Sequence, residues 1–272
     1  MTTAILNQKD LLGLKTLSRQ DIEGILQQAT IFKAIFNRPA KKFPSLGGKV
    51  LVSLFYEPST RTKASFDMAI KLIGASSMSF SVQTSSISKG ETLIDTVKNL
   101  ESMGIDGIIV RHSMGGAPHL IAEHVGIPVI NAGDGFNEHP TQALLDLFTM
   151  TEAKGYIEGK KVAIIGDILH SRVARSNIWG LIKCGAEVIV SGPPSLIPAG
   201  IEELGVSVTH RVEEAIESAD FINVLRVQFE RQKGNFFPTV REYYREYGIT
   251  PQRLKIAKHD VVIMHPGPMN RG

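Results

Sequence analysis

The chain has 272 residues, 43% hydrophobic and 21% charged, which excludes a disordered polar chain, a collagen-like repeat and a disulfide-stapled miniprotein. Its 30 Lys and Arg against 27 Asp and Glu leave a net charge of +3. The basic residues are scattered, with Lys41-Lys42 the longest cluster, so neither a nucleic-acid partner nor more than solubility follows from charge.

The single cysteine, Cys184, allows no intrachain disulfide and no Cys-based zinc site. Asn7, Lys9 and Asp10 interrupt the N-terminal hydrophobicity, so no signal core is present, and no apolar run approaches the ~20 residues of a membrane span. The expectation is a soluble, cytoplasmic protein with no membrane partner.

In chain order, Ser18 and Asp21 form a capping pair for a helix over 21–36. An apolar strand at 49–55 then runs into a helical pattern at 60–73. A strand at 76–82, a helix at 92–103, a strand at 107–110, a helix at 116–124, a strand at 128–132 and a helix at 141–152 follow. The polar, Gly-containing stretch 152–161 is the domain boundary, because the alternation restarts at Lys161. Beyond it come strand 161–166, helix 173–184, strands 187–192 and 207–210, helix 212–218, and strands 221–225 and 261–264. Strand–helix alternation at this spacing indicates parallel βαβ units. Runs such as Val162-Ala163-Ile164-Ile165 are apolar throughout, as strands covered on both faces must be. The expected fold class is α/β, with two domains, 1–152 and 153–272. Each is a parallel sheet flanked by helices, with the active site in the crevice between them.

Open α/β sheets bind ligands beyond the carboxyl ends of their strands, so the residues after each strand carry the functional signal. After the first strand, Ser59-Thr60-Arg61-Thr62 heads a helix. Its unpaired N–H groups, the hydroxyls and a permanent charge suit an anion such as phosphate, against the plainer reading of a Ser59 cap and an exposed arginine. Arg111 ends the third strand and can grip a second oxygen of that anion, although a lone arginine is weak evidence. After the fourth strand, His139 and Gln142 share the first helical turn. Imidazole can polarise a carbonyl, and the amide offers both donor and acceptor; a structural histidine is an equally good reading of His139. The fifth strand lacks the G-x-G-x-x-G of a dinucleotide site, and Arg172 there suits a carboxylate instead. Arg226-Val227-Gln228 follows the eighth strand and His265-Pro266-Gly267-Pro268 the ninth. The stretch Thr84–Glu91, by itself, reads as a solvated loop with one lysine, Lys89. No nucleophile triad, metal cluster or redox-cofactor motif is evident. The pattern suggests transfer of an activated group between two small anions, catalysed by positioning and electrostatics.

Those motifs together resemble the aspartate carbamoyltransferase family, within the carbamoyltransferase superfamily, over essentially the whole sequence. Ser59-Thr60-Arg61-Thr62 is similar to the carbamoyl-phosphate signature, and His139-Pro140-Thr141-Gln142 to a second motif shared across the superfamily. Arg226-Val227-Gln228, Lys89-Gly90-Glu91 and His265-Pro266-Gly267-Pro268 resemble the aspartate branch; the ornithine branch has His-Cys-Leu-Pro at the last place. The resemblance implies transfer of the carbamoyl group of carbamoyl phosphate to L-aspartate, giving N-carbamoyl-L-aspartate in the first committed step of pyrimidine synthesis, without a cofactor or metal. It implies that Ser59, Thr60, Arg61, Thr62 and Arg111 bind phosphate, and that Thr62, Arg111 and His139 stabilise the oxyanion. Gln142 and the carbonyls of Pro266 and Gly267 hold the carbamoyl amine and the attacking nitrogen. Arg172, Arg226 and Gln228 bind aspartate, and Ser85 and Lys89 reach a neighbouring subunit's site, Lys89 touching both substrates. Glu57 pairs with Arg172 and Arg231 on domain closure.

The partners so implied are the two substrates and a homotrimer with shared sites, with regulatory or dihydroorotase chains as members of a larger assembly. The rivals are an acceptor such as ornithine and a truncated, impaired homologue acting only in assembly. Family members continue past the 265–268 loop with helices that cross back onto the first domain, and the expectation here is that these are absent, since the sequence ends at Gly272.

Overall fold

In the first half of the chain, four short segments pair in parallel: β1 (Val50–Phe55), β2 (Ser76–Ser81), β3 (Gly107–His112) and β4 (Val129–Asp134), in the order β2-β1-β3-β4. The structure is a computed structural model that describes residues 6, 8–38, 43, 45–81, 91–227 and 239–269. The chain divides into two compact units, Met1–Thr141 and Gln142–Gly272.

The helices of the first unit are α1 (Arg19–Phe36), α2 (Thr60–Leu72), α3 (Leu93–Ser102) and α4 (Ala117–His124), with α5 (Pro140–Lys154) starting in its last two residues and continuing into the second unit. The Ser18 capping box is present: Ser18 Oγ accepts from Asp21 N at 3.1 Å, and Asp21 Oδ2 accepts from Ser18 N at 2.9 Å. Thr92 and Asp95 build the same motif at α3. Side chains alternate across the sheet, as the period of a strand requires. Ile108 and Val110 join Val52, Leu54, Val97, Leu100 and Ile121 in one apolar cluster, while the intervening Ile109 joins Ile70 and Ala132 in another. Burial on both faces is what makes these strands read as unbroken apolar runs.

The second unit adds β5 (Lys161–Ile165), β6 (Glu187–Ser191), β7 (Ser207–Thr209), β8 (Phe221–Val224) and β9 (Val262–Met264), again all parallel, ordered β7-β6-β5-β8-β9. Its helices are the rest of α5, α6 (Arg172–Lys183), α7 (Val212–Ile216), α8 (Val240–Tyr247) and α9 (Pro251–Leu254). Val162, Ala163, Ile164 and Ile165 are fully buried. Ala163, Ile165 and Ile222 pack with Val212, Ala215 and Ile216 of α7 on one face of this sheet.

The nine expected strands are all present among the described residues, each within two residues of its expected ends. The corrections lie in the helices. α7 is shorter than 212–218 because Ser218 takes a positive φ of 54° and Glu217, at ψ 121°, has already left the helical region, which ends the turn at Ile216. Helices α8 and α9 were not expected; both are short, and neither has a fully buried residue. Among the described residues no helix is long and apolar enough to cross a membrane.

Candidate functional site

Because every strand in each sheet is parallel, the carboxyl ends of a unit's strands lie at one edge of its sheet, and the expected site residues that are described follow those ends. In the first unit, Ser59 is the N-cap of α2, and its side chain makes no capping hydrogen bond. That decides against an ordinary Ser cap: the N–H groups of the first turn are not satisfied by the hydroxyl, and an anion can take them. Arg61 of this turn is exposed and Thr62 half-buried.

Arg111, at the end of β3, is 8% exposed. Its Nη1 donates to Thr62 Oγ1 at 3.3 Å and to the Ala132 carbonyl at 3.3 Å, while Nη2 donates to Glu57 Oε1 at 3.2 Å. The structure therefore brings Glu57, Thr62 and Arg111 into direct contact. A guanidinium so placed is held in one orientation, and an anion arriving there would compete with the Glu57 carboxylate for it. Beside it, His112 accepts from Met114 N at Nδ1, 2.9 Å away, and its ring lies 4.9 Å from that of Tyr56. Burial pushes the His112 imidazole below its ordinary pKa, against the nearby carboxylates of Asp134 and Glu57, which pull the other way.

His139 is buried and follows β4 through a turn that is held from several sides. Asp134, fully buried, accepts from Gly116 N (2.7 Å), Asn131 Nδ2 (2.8 Å), Asn137 Nδ2 (3.0 Å) and Glu138 N (3.1 Å). Glu138 in turn accepts from Leu14 N at 2.7 Å and Lys15 N at 3.3 Å. The turn needs glycine at 135: φ is +48°, and a Cβ there would lie 2.7 Å from Gly115 N. Two buried carboxylates thus fix the backbone that presents His139, whose Nδ1 lies 3.4 Å from Thr141 Oγ1.

In the second unit, Gln142 Nε2 donates to Asp146 Oδ1 at 3.0 Å. After β5, Gly166 has φ +126°, and a Cβ on it would meet the Leu225 carbonyl at 2.4 Å and the Tyr243 hydroxyl at 3.1 Å. Only glycine lets these segments approach so closely. The next residues form a small buried knot: His170 N and Nδ1 both contact Asp167 Oδ1, at 3.1 and 2.8 Å. Ser171 caps α6 by accepting from Ala174 N at 3.1 Å, and Arg172, 4% exposed, occupies its first turn. Arg226 follows β8, and Pro266 and Gly267 follow β9, where Gly267 N donates to His265 Nδ1 at 2.7 Å. Ser85, Lys89, Gln228 and Arg231 lie outside the described residues.

Several residues important to this arrangement carried no role in the sequence reading: Asp134, Glu138, Asp146, Asp167, His170 and Tyr243. The spacing of Asp167 and His170 was a usable signal, since i and i+3 can meet across one turn. Tyr243 belongs to α8 and is half-buried, its hydroxyl beside Gly166 just after β5; desolvation, followed by the charge of Asp167, raises its phenol well above the usual range. The signal for its helix was Thr239-x-x-Glu242, a cap pattern.

Comparison with known proteins gives a consistent result. Residues 9–152 match the model of the aspartate/ornithine carbamoyltransferase carbamoyl-P binding domain, and residues 158–272 that of the Asp/Orn binding domain. The aspartate carbamoyltransferase catalytic subunit of Desulfosudis oleivorans is 58% identical over 98% of this chain and 86% of its own. That of Moorella thermoacetica is 57% identical over 98% and 87%. Among solved structures, aspartate transcarbamoylase from Trypanosoma cruzi in complex with carbamoyl phosphate and aspartate superposes with a TM-score of 0.86 at 30% identity, over 98% of this chain and 88% of that one. Ornithine carbamoyltransferase from Pyrococcus furiosus gives 0.87 at 31%, over 98% and 88%.

Proposed function

The chain belongs to the aspartate/ornithine carbamoyltransferase family, and from that premise we propose that it transfers the carbamoyl group of carbamoyl phosphate to the amine of L-aspartate, releasing N-carbamoyl-L-aspartate and phosphate. The observation that carries the acceptor is the 57–58% identity, along 98% of the chain, to catalytic subunits of aspartate enzymes. Fold alone does not choose, because an ornithine enzyme superposes as well as an aspartate one.

The chemistry follows from the residues. The uncapped first turn of α2, with Ser59, Thr60, Arg61 and Thr62, takes the phosphate. Arg111 leaves Glu57 to span the phosphate and the carbamoyl oxygen. As the aspartate amine forms its bond to the carbamoyl carbon, negative charge gathers on that oxygen, and Thr62, Arg111 and His139 donate to it. The carbon–oxygen bond to phosphate then breaks, and the phosphate leaves with its electron pair and takes up the proton that the attacking amine gives up. Gln142 and the carbonyls of Pro266 and Gly267 accept from the carbamoyl amide and the attacking nitrogen. Arg172, Arg226 and Gln228 take the two aspartate carboxylates, for which planar guanidinium groups provide paired donors. Ser85 and Lys89 complete the site of a neighbouring subunit, so the proposal includes a homotrimer.

A side-by-side assay of carbamoyl transfer to aspartate and to ornithine, run with sedimentation, tests this reading. Product formation from aspartate alone, travelling with a trimer, is expected. Transfer to ornithine in preference would overturn the acceptor, and activity in the monomer would overturn the shared site.

A further inference from the structure

The role proposed for Gln142 requires one end of its amide to meet the substrate, and the structure holds the other end. Gln142 and Asp146 lie one turn apart on α5, and the hydrogen bond between them, 3.0 Å, uses Gln142 Nε2. Asp146 is 5% exposed. Its second oxygen, Oδ2, accepts from Asn177 Nδ2 of α6 at 2.7 Å and from Asn223 Nδ2 of β8 at 3.3 Å. Both asparagines are fully buried, and among the described residues the Oδ1 atom of each has no hydrogen-bond partner. Three amides from three elements have thus turned their donor ends toward one carboxylate, two of them leaving an acceptor without a partner among those residues.

Such an arrangement is costly. Its donors among the described residues are neutral amides, and a buried carboxylate with no cation among them is disfavoured even when fully hydrogen-bonded. An apolar side chain would join a helix to a sheet at lower cost. What the acid does supply is direction. An amide rotated by half a turn about its last bond has nearly the same shape but opposite hydrogen-bonding ends. With Nε2 committed to Asp146, Oε1 is the end left to accept from substrate N–H groups.

We propose that Asp146 is a positioning residue that fixes the orientation of the Gln142 amide, with Asn177 and Asn223 holding the Asp146 carboxylate in place. This rests on the reading of Gln142 as a ligand of the carbamoyl amide. The anchoring residues come from α6 and β8, so the orientation of a side chain on the first turn of α5 is set by the second sheet and its helix.

Steady-state kinetics on the full-length enzyme test it, using Gln142→Ala, Asp146→Leu, Asp146→Asn and the Gln142→Ala/Asp146→Leu double variant, each with its thermal midpoint. Asp146→Leu is chosen to fill the space with an apolar side chain and keep the protein folded. It is expected to lower kcat/KM for carbamoyl phosphate by about tenfold to a hundredfold, the scale of a misplaced contact. Asp146→Asn is expected to recover most of that loss, because its Oδ1 still accepts from Gln142 while Asn177 and Asn223 turn to accept from its Nδ2. The double variant is expected to be no worse than Gln142→Ala alone. Losses that multiply in the double variant, or a folded Asp146→Leu with wild-type kcat/KM, overturn the positioning role. Should Asp146→Leu lose its thermal transition, the Asp146→Asn variant decides, since wild-type midpoint with activity as low as Gln142→Ala would also refute it. A Gln142→Ala enzyme with unchanged kcat/KM refutes instead the reading of Gln142 on which the inference stands.

Discussion

His139 and Arg226 stand for the two kinds of work the site residues are assigned, and each makes a separable prediction. His139 is held by a backbone that Asp134 and Glu138 clamp from both sides, so replacing its ring leaves the turn intact. The contribution proposed for it is a donor to charge that exists only in the transition state. His139→Ala is therefore expected to lower kcat by roughly 10²–10³-fold, the usual cost of one oxyanion donor, with little change in carbamoyl-phosphate affinity. Turnover kinetics alongside a direct carbamoyl-phosphate titration check this, and undiminished turnover removes His139 from the mechanism. Arg226→Ala instead removes the ligand proposed for the acceptor, so KM for aspartate is expected to rise much more than KM for carbamoyl phosphate. Arg226→Lys is expected to restore it only in part, since an ammonium cannot grip a carboxylate with two parallel donors. Equal increases in both KM values would refute the assignment. At this scale the sequence showed the residues that head a helix or end a strand, such as Ser59 to Thr62, Arg111 and Arg172. It did not show Asp134 or Asp146, because their partners (Gly116 for one, Asn177 and Asn223 for the other) are brought to them only by the fold.

At the scale of elements, what could be read was what burial dictates. Strands sealed on both faces, such as β3 and β5, must be apolar at every position, and their boundaries fell within two residues of expectation. The helices that pack on them carry an apolar stripe and were equally plain. Helix α8, with sequence Val-Arg-Glu-Tyr-Tyr-Arg-Glu-Tyr, has no fully buried residue; Val240, Tyr243, Tyr244 and Tyr247 do fall on one helical face, but that stripe is aromatic, only two turns long and half-buried at best, which is too short to stand out in the sequence. Its order depends on local devices: Thr239 caps it by accepting from Glu242 N at 3.0 Å, and the rings of Tyr243 and Tyr247 meet 5.5 Å apart. Below its C-terminus, Arg253 of α9 donates to the Gly248 carbonyl at 2.7 Å, to the Arg245 carbonyl at 2.9 Å and to Glu213 Oε1 at 2.7 Å. A helix of 8 residues is too short to persist without such ties. Thr239→Ala is expected to cost about 1 kcal/mol at the cap. Hydrogen exchange is then expected to speed up over residues 240–247 while α5 and α6 keep their protection. A uniform acceleration across the second unit would show that α8 opens only with the whole unit.

For the molecule as a whole, acid is the condition that separates the contributions of its charges. Asp220, 3% exposed, joins the start of β5 to the segment before β9: it accepts from Lys161 N at 3.1 Å and Lys258 Nζ at 2.8 Å, with Lys160 Nζ 3.9 Å away. Burial by itself would raise its pKa, but these donors and charges outweigh it and hold the carboxyl below the usual range. The unfolded chain therefore binds a proton at Asp220 more readily than the folded one. Its contribution is complete above the unfolded pKa of about 3.9 and is lost as pH falls through the lower folded value. His112 acts in the same direction from higher pH, because its neutral form is favoured in the fold and the unfolded chain is protonated first. Asp146 opposes both: burial raises its pKa, so the folded state takes up its proton first on acidification. The single tryptophan, Trp179, lies on α6 in the same unit as Asp220, so its fluorescence reports that unit's unfolding. In urea at pH 7, Asp220→Asn is expected to be less stable than wild type by about 1–2 kcal/mol, the worth of hydrogen bonds to a charged group. As pH falls through the lowered folded pKa the wild-type carboxyl is itself neutralised, and the two curves are expected to converge. A gap that stays constant from pH 7 to pH 2 would show that Asp220 acts through shape and not through its charge, and would remove it from the acid response of the second unit.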